Sequence, residues 1–482
     1  MRIVLVSLMH AGIRPEDEEE HLGLGYLAAV ARRDGHSVEI IDAPAHRLTV
    51  PKLAAALTVG GEPGATRRLQ PERADLIGIS VLFQELIPDT MQLVSLLRRA
   101  GARQPIVLGG HPPSFLYHEL ARDYEGFDCI ALGEAEGTFA DLLETLDGGG
   151  DPAGVPGLVT WEAARRSSGG PGREPELEQL EPGTGGSPIR ARPLNPDLDS
   201  LPFPARDTLP TYLTGSSGRR GGYRTASVLR SRGCYGNCSF CDTRAFYGLS
   251  PGQAWRVRSA PNVADEIEQL RLDHQVDHIR FWDDNFMGPG DRGRQAAEEL
   301  ARELEARRLG VGFSFECRVT DVEPDLFRRL KDVGLTRVFL GVEAMTQRQL
   351  DFHNKKVTVE DNRRALSILE ALGLDVTIGM IMFDPDTTVD ELNTNLAFLK
   401  ESFGSWGAVK TKVAQPWNRL TVYAGTPLES SLREQGRLKG SYTQYDYDFS
   451  DATVAGLYAS GAALRRVGLP LRNALGRLKR RA

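Results

Sequence analysis

Short apolar runs alternate with amphipathic stretches along most of this chain. In its first third the runs begin at Ile3 (IVLVSL), Val38 (VEII), Leu76 (LIGISV), Ile106 (IVLGG) and Cys129 (CIALG). Between them, LGYLAAVARR, MQLVSLLRRA and FADLLETL carry apolar residues at helical spacing. Brief β-branched runs separated by helices predict a parallel sheet covered on both faces, a doubly wound α/β arrangement. Such sheets bind ligands beyond the C-terminal strand ends, at the switch point of the topology. Those ends carry Ser80, then Gly109, Gly110 and His111, then Gly133 and Glu134.

The pattern breaks after the first 147 residues. From Gly148 the chain turns rich in Gly, Pro and Glu, which predicts a linker over 148–210 with a small hairpin at GLVTWE. From Ser227 the alternation resumes, with strand-like runs at SVLRS, HIRFW, GFSFECR, RVFLGVE, VTIGMIMF and RLTVY. Helical stretches lie between them: one near Val263–Arg271, then AAEELARELEARR and VDELNTNLAFLK. Six strand–helix units over 211–440 predict a full or partial parallel barrel. A short segment, 441–482, follows, with a Tyr-rich loop (YTQYDYDF) and a basic end read as a solvated helix end. Tyr442, Tyr445 and Tyr447 are read as surface packing, with the barrel mouth as the other possibility.

Composition narrows the class. The 482 residues exceed the roughly 250–300 that one core usually serves, so at least two domains are expected. No stretch approaches the roughly 18 uninterrupted apolar residues of a membrane span, and the N-terminal MRIVLVSLMHAG reads as a buried strand, not a signal peptide. A net charge of −7 argues against a protein that coats nucleic acid. Five Cys, an odd number in a long chain, make no disulfide framework and point to the reducing cytoplasm.

Three of the five lie in RGCYGNCSFCDTRAFYG as Cys234, Cys238 and Cys241, spaced C-x3-C-x2-C. Zinc prefers four ligands in pairs, and neither a second CxxC nor a nearby His completes the set. Thiolate is the standard ligand of an iron–sulfur cluster, and three thiolates leave one iron of a 4Fe–4S cubane open to a substrate or cofactor. The loop follows the first barrel strand at its C-terminal end, where barrels place their chemistry. Cys129 and Cys317 read as buried apolar residues. His274 and His278 straddle a helix end and a strand start, so their spacing does not make a metal pair.

The cysteine motif resembles that of the radical S-adenosylmethionine (SAM) superfamily. DLDSLPFPARD, WRVRSAPNVADEIEQL, FWDDNF, FECRV, LGVEAMTQRQL, GMIMFDPDTTVDEL and VYAGTPL, with HLGLGYLAAV, DLIGISV, LGGHPPS and LGEAEGTF before them, resemble in order the landmarks of its cobalamin-binding subgroup. The resemblance implies an N-terminal Rossmann-like cobalamin domain and a C-terminal partial (β/α)6 TIM-like barrel. It implies a 4Fe–4S cluster, SAM chelated at the open iron, and reductive cleavage to a 5′-deoxyadenosyl radical. The SAM-site candidates are Phe240, Asp283 and Asp284 (methionyl amine), Glu316, Arg318 (SAM carboxylate) and Glu343 (ribose). The cobalamin candidates are Ser80, Gly109, Gly110, Gly133 and Glu134, with Leu22–Gly23–Leu24 a weaker set. The Asp-x-His-x-x-Gly signature that donates a His to cobalt is absent; His21 and His111 lie outside it.

The function expected is a cobalamin-dependent C-methyltransferase acting on an unactivated carbon of a small-molecule natural-product intermediate, with a flavodoxin- or ferredoxin-type electron donor. The rivals are a non-methylating radical enzyme (dehydratase, epimerase or rearrangement), a methylthiotransferase and a non-catalytic sensor. The methylthiotransferase would need a three-Cys N-terminal domain, and the first 150 residues hold only Cys129.

Overall fold

The computed structural model describes residues 1–10, 19–58, 74–167, 192–214 and 222–466. The first sheet contains β1 (Arg2–Ser7), β2 (Ser37–Asp42), β3 (Leu76–Ser80), β4 (Ile106–Gly109), β5 (Cys129–Ala131) and β6 (Leu158–Thr160). Their order is β2-β1-β3-β4-β5-β6, parallel except for β6, which runs antiparallel to β5. β1 is buried along all but its first residue, as a strand covered on both faces must be. The helices Leu22–Arg33 and Glu136–Asp147 pack on one face. On the other lie Val50–Thr58, Ile87–Arg99 and His111–Asp123. The topological switch falls between β1 and β3, whose C-terminal ends carry Ser7 and Ser80.

The sheet runs past the boundary read at residue 147. LVT of GLVTWE adds β6 to its edge and the helix Trp161–Ser167 packs against His111–Asp123, so GLVTWE joins the first sheet and is not a hairpin of its own. A three-residue edge strand is too short to show periodicity against a Gly- and Pro-rich background.

The second sheet contains β7 (Thr225–Val228), then, after the small antiparallel pair β8 (Ser231–Arg232) and β9 (Arg256–Val257), β10 (His278–Phe281), β11 (Gly312–Arg318), β12 (Leu335–Glu343), β13 (Asp375–Met380) and β14 (Val413–Ala414). The order β14-β13-β12-β11-β10-β7 is parallel throughout, with β7 and β14 at its two edges: a six-stranded partial barrel. Ala226, Val228, Ile279, Phe281, Phe313 and Phe315 turn outward into a helix-covered core, where Phe286 stacks on Phe315 at 4.1 Å. Each buried aromatic of this kind contributes about 1.5–3 kcal/mol of hydrophobic stabilisation.

The sixth strand differs from expectation. RLTVY, residues 419–423, makes only a single bridge, Arg419 to Phe383, and the sheet instead takes Val413–Ala414. Gln415 at φ 50° and Pro416 turn the chain away. Leu420 and Val422 then bury against Leu428, Leu432 and Tyr447. The Tyr-rich stretch is the second half of a hairpin, β15 (Leu438–Ser441) with β16 (Gln444–Tyr447), across the boundary read at 440. Tyr447 is buried there, and Tyr442 and Tyr445 pack on the first domain, so these tyrosines serve packing. No described helix is long and apolar enough to cross a membrane. The last residues of the basic terminal stretch, 467–482, lie outside the described residues.

Candidate active site

The cysteine loop is built by its base. β8 and β9 pair Ser231 with Val257 and Arg232 with Arg256. Gly233, at φ 86°, then turns so close to Ala254 that a Cβ would sit 2.2 Å from its carbonyl oxygen. Cys234, Cys238 and Cys241 follow, all half-buried. The Gly236 N–H donates to Cys234 Sγ at 3.2 Å, Arg318 Nη1 donates to Cys238 Sγ at 3.3 Å, and Cys241 Sγ lies 3.3 Å from Thr243 Oγ1. A Cβ on Gly236 would meet Arg318 Nη1 at 2.7 Å and Cys234 Sγ at 3.3 Å, so a side chain there would displace the guanidinium from the cysteines. Burial pushes the Cys241 thiol up to about 12 and raises that of Cys234. Binding a metal there must therefore expel protons.

Among the described residues no three His, Cys, Asp or Glu converge as one ion would need. A cubane asks for something else: three thiolates, each on its own iron, with donors to their sulfurs. The loop's spacing, the backbone N–H and the guanidinium fit that group.

A second segment backs the loop. Ser239 N–H donates to the His353 carbonyl at 2.9 Å, Ser239 Oγ to the Phe352 carbonyl at 2.9 Å, and Asn354 Nδ2 to the Asn237 carbonyl at 2.5 Å. Arg318 Nη2 donates to the Lys355 carbonyl. Asn354 and Lys356 have φ of 48° and 56°, backbone conformations held by these contacts and not by propensity. Sequence reasoning left His353 without a role and missed Lys355; the phrase DFHNKK carries no local signal that it folds over the cysteines.

The SAM-site candidates divide. Asp284 is exposed beside the loop, accepting Gly233 N–H at 2.8 Å and Tyr247 OH at 3.2 Å. Asp283 is buried, and its carboxylate is taken by Arg230 N–H (2.8 Å), Ser231 N–H (2.9 Å) and Ser231 Oγ (2.6 Å). It ties the segment after β10 to the start of β8, so its carboxylate is already filled within the protein. Arg318 donates to Cys238 Sγ and to the Lys355 carbonyl, and its Nε is buried without a partner. Glu343 stands at a β-bulge with φ 64° and accepts Lys355 Nζ at 2.7 Å. A non-glycine residue in that region is strained and marks a constrained site. Phe240 packs edge-on to His353 at 5.6 Å. Glu316 lies 3.4 Å from Arg280, with its carboxyl raised by burial.

The first domain meets this loop directly. Gly109 ends β4 with open space where a Cβ would be. Gly110, at φ 115°, passes Val81 so closely that a Cβ would lie 2.2 Å from its carbonyl oxygen. Gly133 N–H donates to Ser114 Oγ at 3.0 Å. Ser80 Oγ meets His21 Nε2 at 2.8 Å, while His21 Nδ1 accepts Leu24 N–H at 3.1 Å. Both nitrogens of His21 are thereby engaged within the protein. Gly23 lies under the His21 ring, and Leu24 is buried in the core. Glu134 is a correction: it pairs with Arg256 at 2.7 and 2.8 Å and with Arg232 at 3.2 Å, all side chains nearly buried. It is a domain clamp and does not line the open strand ends. His111 Nδ1 reaches Asp242, the neighbour of Cys241, at 3.0 Å, and its ring stacks on Phe246 at 3.7 Å.

Residues 11–143 match the B12 binding domain and residues 228–399 match the Radical SAM superfamily. Residues 228–399 thus form a radical SAM domain, preceded by a B12-binding domain. The order of the two matches, B12-binding domain first and radical SAM domain second, is the one the sequence landmarks implied. Among curated relatives, it is 26% identical to the uncharacterized methyltransferase PH0819 of Pyrococcus horikoshii, over 84% of this chain and 78% of that one. It is 29% identical to the hopanoid C-3 methylase of Methylococcus capsulatus, over 76% of this chain but 61% of the methylase. The cobalamin-dependent SAM radical enzyme OxsB, solved with aqua-cobalamin and SAM, superposes with a TM-score of 0.72 at 21% identity. That match covers 96% of this chain and 66% of OxsB, and it establishes the shared fold.

Proposed function

We propose that this radical SAM protein is a cobalamin-dependent C-methyltransferase acting on an unactivated carbon of a small-molecule natural-product intermediate. One observation carries the reading. The His111–Asp242 bond joins a strand end of the first domain to the cysteine loop of the barrel, so the two cofactor-binding surfaces share one wall. Two relatives whose names state methyl transfer support it. When bound, the cluster and SAM supply a 5′-deoxyadenosyl radical and cobalamin supplies the methyl group.

The chain's own residues divide the remaining work. Cys234, Cys238 and Cys241 hold the cluster, and Arg318 donates to the Cys238 sulfur. Asp284, exposed beside the loop, meets the methionyl ammonium as a carboxylate acceptor. Glu343, fixed by its strained backbone and by Lys355, would receive the ribose hydroxyls, and Phe240 would lie by the adenine. Gly109 leaves open space at the end of β4, and with Ser80, Gly110 and Gly133 at the neighbouring strand ends it would hold a corrin and its tail. The electron comes from a flavodoxin- or ferredoxin-type donor in the cytoplasm.

The test is anaerobic reconstitution with iron, sulfide and cobalamin, followed by turnover with SAM and reductant. A corrin band, 5′-deoxyadenosine and a methylated product are expected. Deoxyadenosine without methylated product across a broad substrate panel would favour the non-methylating alternative.

A further inference from the structure

The inward face of the barrel carries polar residues at its β7 edge. Ser227 and Arg280 stand opposite each other in register, and Glu316 follows two residues after Ser314, the partner of Arg280 on the other side. Because strand neighbours alternate sides, all three lie on the face away from the helix-covered core that holds Ala226, Val228, Ile279 and Phe281. Arg280 stacks on Trp282 at 3.8 Å, and Trp282 remains 39% exposed, so this wall is not sealed.

A carboxylate from the first domain stands there. Ser227 Oγ donates to Glu19 Oε2 at 2.5 Å, Arg280 Nη1 donates to Glu19 Oε1 at 3.1 Å, and Trp282 Nε1 donates to Glu19 Oε2. A hydroxyl, a guanidinium and an indole N–H, all from the barrel, thus converge on both oxygens of one anion. Glu19 belongs to neither β1 nor the helix that begins at Leu22. Arg280 also faces Glu316 at 3.4 Å, so one cation serves two carboxylates. Exchanging Glu19 for another anion leaves that balance unchanged. Two residues beyond Trp282 is Asp284, beside the cysteine loop.

We propose that Ser227, Arg280 and Trp282 form a binding site for a carboxylate or phosphate of the substrate, and that Glu19 fills this site in the substrate-free enzyme. The inference rests on the proposed function, in which a small-molecule substrate reacts beside the cysteine loop. It adds that the substrate is an anion anchored by three donors, with its reacting carbon turned toward the cysteine loop.

Calorimetric titration of the full-length, anaerobically reconstituted protein tests it, with inorganic phosphate and acetate as separate probes. Glu19→Gln removes the competing charge, so at least one probe should bind about tenfold tighter than to the parent. Adding Arg280→Gln to Glu19→Gln should reverse the gain. The probe that gains more identifies phosphate or carboxylate as the anchored group. Equal affinity of parent and E19Q for both probes would overturn the proposal, as would a gain that survives R280Q. An E19Q protein that fails to fold would overturn it as well, because a displaceable group cannot be one the fold requires. Deoxyadenosine formation by the parent is measured in parallel; its absence would count against the proposed function and leave the anion-binding result to stand by itself.

Discussion

At the residue scale, the site depends on a few side chains whose partners decide their chemistry. Arg318 is the clearest case, because a guanidinium against a cluster thiolate stabilises the more negative, reduced state. Arg318→Met should leave all three cysteines and the iron content in place but lower the cluster's midpoint potential by about 60 mV or more, seen in an EPR-monitored redox titration. His278 gives a test of pH linkage far from the cysteines. It is buried, with Nε2 on Thr336 Oγ1 at 3.0 Å and Nδ1 unpartnered, and burial pushes its pKa down to about 4. The unfolded chain takes up that proton near the ordinary value of about 6.5. The stabilisation is therefore complete above about 6.5 and is lost as pH falls toward about 4. Denaturation midpoints at about pH 7.5 and about pH 5 should differ less in His278→Asn than in the parent.

At the element scale, loop geometry matters more than strand content. The helix His111–Asp123 starts at Gly110, whose φ of 115° suits glycine and whose missing Cβ lets it pass Val81. Gly110→Ala should destabilise the first domain by more than about 1 kcal/mol, lowering its thermal midpoint, and should weaken the corrin spectrum of the reconstituted protein. Most strands were legible in the sequence, since IVLVSL, LIGISV, GFSFECR and RVFLGVE are runs that only a covered parallel sheet explains. RLTVY misled because an apolar run reports burial and not hydrogen-bond partners; Leu420 and Val422 are buried without a ladder.

At the scale of the whole molecule, the two domains are tied at the base of the cysteine loop. Glu134 grips Arg256 and Arg232 on both strands of the β8–β9 pair, Glu136 pairs with Arg232 at 2.6 Å, and Gln84 bonds Val422 and Ala424 across the interface. Breaking one partner of a buried pair leaves an uncompensated charge, at a cost of about 3–5 kcal/mol. Glu134→Gln should lower the unfolding free energy by an amount in that range, read from denaturant titration, and speed proteolysis between the domains, as read by gel. It should reduce cluster occupancy by colour and iron content even though no cysteine is touched.

The sequence by itself determined the α/β class, the two sheets and the three thiols, because periodicity and ligand spacing are properties of neighbours along the chain. Only the tertiary structure decided that Asp283 is a staple while Asp284 is open, that Arg318 serves a sulfur, and that Glu134 serves the other domain. Which atom a carboxylate or guanidinium meets depends on residues tens to hundreds of positions away, and no local pattern records that distance.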